Sequence, residues 1–316
     1  MEKMSRLIGL SITMLLIVHS SIIYAQKERT VKVENEQGEL QGTLLFPKKK
    51  NIPVALIIAG SGPTDRDGNQ GMMKSDAYKL LAEGLAEKGI ASLRYDKQGV
   101  GESADAAKEE KDLLFEDMVN DAALFVDYLL EQKRFSEVIL IGHSEGALVA
   151  KLLAQERPVS KVVCIAGTGR PIGEILVEQI TEQSEELGAK TEQIIQQLLD
   201  GEELTDVPQD LMALFRPSVL PYVKSWLVIN PAEEMKKLEI PAYIIQGTTD
   251  IQVKLKDAKL LAEASPKAHL LVIENMNHVL KDAPEERQAN IMTYMNPKLP
   301  LSEGLVENLS RFVLGE

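Results

Sequence analysis

Short apolar runs rich in β-branched residues alternate along the chain with longer stretches in which apolar residues recur every three or four positions. The continuous runs predict strands buried on both faces of a parallel sheet, at residues 53–59, 91–95, 138–141, 162–166, 243–246 and 270–273. The 3–4 spacing predicts helices around residues 77–85, 118–129, 147–154, 255–262 and 301–314. Residues 31–34 and 40–46, joined around Gln37-Gly38, predict an antiparallel hairpin. This alternation favours a three-layer α/β fold with a mostly parallel sheet and a leading antiparallel hairpin.

Residues 170–239 interrupt the alternation, because they contain helical patterns and proline-punctuated pieces but no strand-like run. An insertion of this size is too long for a simple connection. We therefore expect a helical cap inserted between two parts of one α/β core, residues 26–169 and 240–316. The apolar side chains late in the insertion either dock the cap on the core or line a substrate pocket, and both interpretations stay open. The candidates for the pocket are Phe215, Tyr222 and Trp226.

The N-terminus has the features of an export signal. Lys3 and Arg6 precede an apolar run over residues 7–18, and the small residue Ala25 precedes a polar stretch. This order is typical of a cleaved secretory signal peptide, so we expect residues 1–25 to be removed and the mature chain to be periplasmic or extracellular. An uncleaved membrane anchor is the alternative, but the Ser, Thr and His residues near the run make it a poor one.

Composition and charge narrow the class of partner. The 35 Lys and Arg residues against 48 Asp and Glu residues give a net charge of −13. Such a surface repels nucleic-acid backbones and anionic lipids, so neither nucleic acid nor a membrane surface is expected as a partner. The single cysteine, Cys164, excludes an internal disulfide and a Cys-based metal site. The oligomeric state is left open by the sequence.

The sequence Gly142-His-Ser144-Glu-Gly146 follows a predicted strand and precedes a predicted helix. In this context a Gly-x-Ser-x-Gly turn exposes the serine hydroxyl at the top of the sheet, and its flanking positions must be small because strand and helix approach closely. Ser144 is therefore the candidate nucleophile. The alternative is a glycine-flanked structural turn.

A serine nucleophile needs a base and a group that orients the base. Of the four histidines, His19 lies in the signal peptide, His143 is inside the turn and His269 begins a strand. His278 follows the last predicted strand, at the edge of the sheet where chemistry is expected, and is the candidate base. The candidate acid is Asp250, three residues after Gly247, although Asp250 could instead cap the next helix; Asp257 is a weaker candidate within that helix.

The negative charge that develops on the substrate's carbonyl oxygen in the transition state is stabilised by hydrogen-bond donors. One candidate is the backbone N–H of Glu145, at the start of the helix after the nucleophile. The other is the N–H of Ser61, in the loop after the strand at 53–59, where Gly60 and Gly62 allow the backbone to approach a substrate. No metal and no cofactor are required by this set of residues.

The chain resembles the α/β-hydrolase fold, and in particular the bacterial carboxylesterases and serine-aminopeptidase-like hydrolases that carry a helical cap. The motifs that carry the resemblance are residues 60–68, 94–103 and 142–146, Gly247-Thr-Thr-Asp250 and Asn277-His278. One departure is Ala59, because many relatives have histidine before the glycine of the oxyanion loop. The resemblance implies hydrolysis of small carboxylic esters through an acyl-enzyme on Ser144.

Three alternatives are weighed against a carboxylesterase. An aminopeptidase would use acidic groups of the cap to hold an α-ammonium group, with Glu174, Glu178 and Glu182 as candidates. An acyltransferase would use the same triad but pass the acyl group to an alcohol. A non-catalytic binding module would be expected to lack part of the triad or of the oxyanion loop.

Overall fold

A computed structural model describes residues 26–316. The predicted signal peptide, residues 1–25, lies outside the described residues. Among the described helices, none combines the length and apolar character needed to cross a membrane.

The strands form one large sheet and a short separate hairpin. They are β1 (Gln26–Glu34), β2 (Glu39–Pro47), β3 (Ile52–Ile58), β4 (Asn69–Gln70), β5 (Met73–Lys74), β6 (Ala91–Tyr95), β7 (Phe135–His143), β8 (Lys161–Ile165), β9 (Ala242–Gly247) and β10 (Ala268–Ile273). The large sheet has the order β1-β2-β6-β3-β7-β8-β9-β10. Strand β2 pairs antiparallel with β1 and with β6, and the remaining neighbours are parallel. Strands β4 and β5 form the separate hairpin.

The helices cover both faces of the sheet and fill the insertion after β8. They are α1 (Ala77–Glu87), α2 (Phe115–Leu130), α3 (Glu145–Glu156), α4 (Ile172–Thr181), α5 (Glu185–Leu199), α6 (Met212–Phe215), α7 (Leu220–Leu227), α8 (Pro231–Lys236), α9 (Leu255–Ala264), α10 (Arg287–Thr293) and α11 (Leu305–Leu314). This arrangement confirms the predicted three-layer α/β-hydrolase fold with its leading antiparallel hairpin.

Strand β3, in the middle of the sheet, is apolar throughout because each face of the sheet is covered there. In β3, Val54 and Leu56 pack with α2 and α3, whereas Ala55 and Ile57 pack with α1 and α11 on the opposite face. Successive side chains of a strand point to opposite faces, so a continuous apolar run supplies both cores. The two layers hold the strands in a fixed order, and the carboxyl ends of the parallel strands therefore meet at one edge.

The insertion between β8 and β9 contains helices α4 to α8. Helices α4 to α7 share an apolar cluster of their own, centred on residues such as Ile175, Ile194 and Phe215. Helix α8 differs, because the buried Met235 belongs to the main core and packs beside α3 and α9. The interval 170–239 thus contains a helical layer with its own core, followed by a helix that packs on the sheet domain.

Candidate active site

The carboxyl ends of β3, β7, β9 and β10 bring the predicted site residues to one edge of the sheet. Gly60 and Ser61 follow β3, Ser144 follows β7, Asp250 follows β9 and His278 follows β10. In an open α/β sheet this edge is where ligands bind. Backbone and side-chain hydrogen bonds together hold these loops; the loop after β10, for example, contains an isolated bridge between Met276 and Asp282.

Ser144 occupies a tight turn between β7 and α3. Its backbone has φ 54° and ψ −120°, a conformation that costs about 1–3 kcal/mol in a residue with a side chain. A Cβ atom at Gly142 would lie 2.1 Å from the carbonyl oxygen of Gly146, and one at Gly146 would lie 2.3 Å from that of Ile58. Both glycines are therefore required by close backbone packing, and Ser144 itself remains partly exposed.

The candidate base and acid are in direct contact. Nδ1 of His278 lies 2.9 Å from Oδ2 of Asp250, and both side chains are buried. Because the carboxylate only accepts, Nδ1 carries the proton and Nε2 is left with a free lone pair. The His278 ring centroid lies 4.7 Å from that of His143, the residue before Ser144. The imidazole therefore lies beside the nucleophile turn.

Asp250 is held by four hydrogen bonds. Besides His278, its Oδ2 accepts from Nε2 of Gln246 (3.1 Å). Its Oδ1 accepts from the backbone N–H groups of Gln252 (2.8 Å) and Val253 (3.0 Å). Burial acts to raise the pKa of the Asp250 carboxyl, but His278 and the two backbone donors outweigh burial and hold the pKa below its usual value. The carboxylate is thus kept ionised and fixed in direction.

The loops after β9 and β10 are bound to each other. A Cβ atom at Gly247 would lie 1.8 Å from the carbonyl oxygen of Met276, so the two backbones are in close contact. The side chain of Asn277, next to His278, donates to Oδ1 of Asn290 (3.1 Å) and to Oγ1 of Thr293 (2.7 Å). Asn290 in turn donates to the carbonyl oxygen of Thr249 (2.9 Å). Helix α10 therefore supports both the acid and the base.

The candidate oxyanion donors flank the nucleophile. Glu145 is the first residue of α3, and the N–H groups of a helix's first turn have no partner within the helix. Ser61 is exposed and follows Gly60, where a Cβ atom would lie 3.1 Å from Cβ of Ser144. The close approach of Gly60 to Ser144 brings the Ser61 loop to the nucleophile, while Gly62, with φ 75°, lies on its exposed side.

A buried chain of hydrogen bonds joins the oxyanion loop to the base loop. The N–H of Gly60 donates to the Tyr78 hydroxyl, with N and O 3.1 Å apart. Oη of Tyr78 lies 2.8 Å from Nδ1 of His143, and Nε2 of His143 lies 2.8 Å from the carbonyl oxygen of His278. Because that carbonyl only accepts, Nε2 of His143 carries the proton, and the Tyr78 hydroxyl must donate to Nδ1. We refer to this chain as the Tyr78–His143 relay.

The relay requires a neutral His143. Burial, together with the neighbouring His278, lowers the pKa of the His143 imidazole to about 3. Burial also raises the pKa of Tyr78 well above its ordinary value. Both groups therefore keep one protonation state over the physiological range, and His143 supports the site without serving as its base.

Lys97, in the loop after β6, contacts the oxyanion loop from the protein interior. Its Nζ lies 2.8 Å from the carbonyl oxygen of Gly60 and 3.4 Å from Oε1 of Glu145. The Lys97 side chain is 11% exposed and that of Glu145 is 2% exposed. The pair therefore places two opposite charges in the interior beside the nucleophile turn.

Helix α7 presents two of the three predicted pocket residues to the core. Tyr222 and Trp226 contact the ring of Phe115, at centroid separations of 6.0 Å and 5.5 Å. Burial and the nearby Glu145 raise the pKa of the Tyr222 hydroxyl well above its ordinary value. Phe215 is a correction to the prediction: it has no exposed surface and packs inside the cap's own cluster. The sequence could not decide this, because a large apolar side chain such as that of Phe215 suits a pocket wall and a core equally.

Two of the three carboxylates predicted for an aminopeptidase, which lie in α4 and directly after it, form close ion pairs with basic side chains. Glu178 pairs with Arg170 (2.5 Å) and Lys256 (2.8 Å). Glu182 pairs with Lys254 (2.9 Å), and Glu174 is largely exposed. These groups fasten α4 to the start of the cap and to α9.

Several supporting residues escape prediction from the sequence. Tyr78, Gln246 and Asn290 belong to none of the motifs, and Lys97 lies in the motif at residues 94–103 without being singled out there. Tyr78, Lys97 and Asn290 act on the site through hydrogen bonds between distant segments, whereas Gln246 bonds Asp250 four positions away. The one feature of the sequence that could have identified them is a polar residue in an otherwise apolar element, as with Gln246 near the end of β9. Within residues 26–316, no group of three or more His, Cys, Asp or Glu side chains is arranged to hold a metal ion.

Comparison with known proteins identifies the family of the chain. Residues 71–283 match the family described as serine aminopeptidase, S33. The chain is 30% identical over 280 residues to esterase EstD of Thermotoga maritima, covering 87% of this chain and 65% of EstD. It is 25% identical over 267 residues to monoglyceride lipase of Rattus norvegicus, covering 75% of this chain and 80% of the lipase.

Solved structures give the same fold. Est1E from Butyrivibrio proteoclasticus superposes with a TM-score of 0.57 at 17% identity, over 91% of this chain and 99% of Est1E. The family match includes the positions of Ser144, Asp250 and His278. The chain therefore belongs to the S33 serine aminopeptidase family of α/β hydrolases.

Proposed function

We propose that this hydrolase is a serine carboxylesterase that cleaves carboxylic esters of small substrates. The observation that carries the proposal is the 2.9 Å contact between His278 and Asp250 beside the strained turn at Ser144. A hydroxyl, an imidazole with a free Nε2 and a fixed carboxylate are the groups that acyl transfer needs. The similarity to an esterase and a lipase adds support for ester substrates.

The first half of the reaction forms an acyl-enzyme. Nε2 of His278 takes the proton of the Ser144 hydroxyl as the oxygen attacks the ester carbonyl. Asp250 stabilises the imidazolium that results, since its carboxylate accepts from Nδ1. The N–H groups of Glu145 and Ser61 stabilise the negative oxygen, each with a contribution of about 3–4 kcal/mol. His278 then returns the proton to the leaving alcohol.

The second half releases the acid. Water loses a proton to His278 and attacks the acyl carbon, while the same donors hold the oxyanion. The bond between that carbon and Oγ of Ser144 then breaks, His278 returns the proton to Oγ, and the carboxylic acid leaves. Every proton moves through one imidazole nitrogen, and the chain's own residues suffice for each step.

An aminopeptidase is less well supported than an esterase. It requires carboxylates that can hold an α-ammonium group, but Glu178 and Glu182 already pair with Arg170, Lys256 and Lys254. The third candidate, Glu174, is 58% exposed and lies 4.0 Å from Arg170. Glu145, the buried carboxylate nearest the nucleophile, pairs with Lys97.

Hydrolysis of short p-nitrophenyl esters and of aminoacyl p-nitroanilides tests the proposal. We expect ester hydrolysis by the wild type, a loss of about a millionfold in kcat for Ser144→Ala or His278→Ala, and about ten-thousandfold for Asp250→Asn. A fluorophosphonate probe should label the wild type and fail to label Ser144→Ala.

Two variants serve as matched controls. Ser136 lies at the opposite end of β7 from the nucleophile, and His269 is exposed at the start of β10. Ser136→Ala and His269→Ala should keep wild-type turnover. Faster cleavage of anilides than of esters would favour the aminopeptidase, and a wild type that neither turns over esters nor reacts with the probe would refute a catalytic role.

A further inference from the structure

Lys97 is a buried cation whose contacts converge on the candidate oxyanion hole. Lysine is almost never buried without a partner. Here Nζ has two partners, the carbonyl oxygen of Gly60 at 2.8 Å and the carboxylate of Glu145 at 3.4 Å. The shorter of the two contacts is to the carbonyl, not to the opposite charge. If Lys97 served only to balance the charge of Glu145, its shorter contact would be expected to be with that carboxylate.

The carbonyl of Gly60 and the N–H of Ser61 belong to the same peptide group. That group is planar and trans, so its C=O and N–H bonds point in opposite directions. An ammonium group on the oxygen therefore fixes the direction in which the Ser61 N–H points. It also polarises the amide, and hydrogen bonds in such a chain strengthen one another. The other side of Gly60 is fixed as well, because its N–H donates to Tyr78 (3.1 Å).

We propose that Lys97 is a positioning residue of the oxyanion hole, which aims and strengthens the Ser61 N–H through the peptide bond between Gly60 and Ser61. Lys97 also contacts the side chain of Glu145, whose own N–H is the second donor, so one ammonium group sets the spacing of both donors. The inference rests on the proposed esterase function and assigns Lys97 no contact with the substrate.

Steady-state kinetics on a p-nitrophenyl ester tests the role, with active sites counted by the final extent of fluorophosphonate labelling. Lys97→Met should lower kcat by about a hundredfold, within the range for loss of an oxyanion donor. KM should stay within about threefold, because the donor acts in the transition state. The affinity for a phenylboronic acid, which forms a tetrahedral anion on serine, should fall in parallel with kcat, and Lys97→Arg should recover part of the loss.

A double variant separates positioning from charge balance. Lys97→Met leaves Glu145 as an unpaired buried carboxylate, which could destabilise the fold. Lys97→Met combined with Glu145→Gln removes both charges, and we expect the same hundredfold loss. Lys108 provides the control, since it lies in the same connection and pairs with Asp117 (2.5 Å) without contacting Gly60; Lys108→Met should keep wild-type kcat.

The outcomes distinguish this inference from the proposed function. Recovery of wild-type kcat in the double variant would show that Lys97 only neutralises Glu145, and unchanged kcat in Lys97→Met would overturn the inference directly. A rise in KM with kcat unchanged would also overturn it. A wild type without esterase activity would instead count against the proposed function, and boronic-acid binding by wild type and Lys97→Met would still test the role of Lys97.

Discussion

The Tyr78–His143 relay makes a quantitative prediction about stability. Tyr78 and His143 are 4% and 7% exposed, and Gly60 is also buried. Tyr78→Phe keeps the ring and removes one oxygen, which leaves the N–H of Gly60 and Nδ1 of His143 without partners. Each unsatisfied buried group costs about 1–3 kcal/mol. The variant also avoids the cost of burying the tyrosine hydroxyl, which partly compensates for these two losses. We therefore expect the unfolding free energy to fall by about 3 kcal/mol.

Urea unfolding followed by far-ultraviolet circular dichroism measures this loss. Tyr243 supplies a matched control, because it stacks on Phe312 and its hydroxyl has no hydrogen-bond partner among residues 26–316. Tyr243→Phe should change the unfolding free energy by less than about 0.5 kcal/mol. If Tyr78→Phe is equally mild, the relay does not stabilise the site, and the hydrogen-bond directions assigned to it are wrong.

Two further predictions follow from the nucleophile turn. Burial and His278 lower the pKa of the His143 imidazole to about 3, against about 6.5 in an unfolded chain, so the unfolded state binds a proton that the folded state does not. The stability that the neutral His143 contributes is therefore lost as pH falls from 6.5 towards 3. Between pH 7.5 and pH 5, the unfolding free energy measured in urea should fall by about 2 kcal/mol more in the wild type than in His143→Gln. Equal losses in the two proteins would contradict the lowered pKa. Gly146→Ala places Cβ 2.3 Å from the Ile58 carbonyl oxygen and should lower unfolding free energy by about 2–3 kcal/mol; an unchanged thermal midpoint would show that the turn can relax.

The sequence predicts the strands of the sheet well because covered strands are apolar on both faces. It also predicts the nucleophile turn, where the glycines at 142 and 146 reflect backbone contacts close in the chain. His278 is found by elimination, since histidines are few. Helix α10 is missed because its seven residues carry no apolar 3–4 spacing.

The supporting hydrogen bonds could not be predicted, because they join segments that are distant in sequence. Lys97 reaches Gly60 across 37 positions, and Tyr78 reaches His143 across 65. Neither contact has a local pattern to mark it. Phe215 and Tyr222 show the same limit for the cap. Both are aromatic residues in a short helical stretch, but Phe215 is enclosed by the cap's own cluster, whereas Tyr222 packs against Phe115 of the main core.

The backbone conformation at Ser144 favours the proposed reactivity but lowers the stability of the fold. Its positive φ is a conformation that glycine adopts readily, so an inactive chain with glycine there would be the more robust one. Under the proposed function, selection for heat resistance alone would remove this serine, whereas selection for ester hydrolysis would retain it together with its backbone strain.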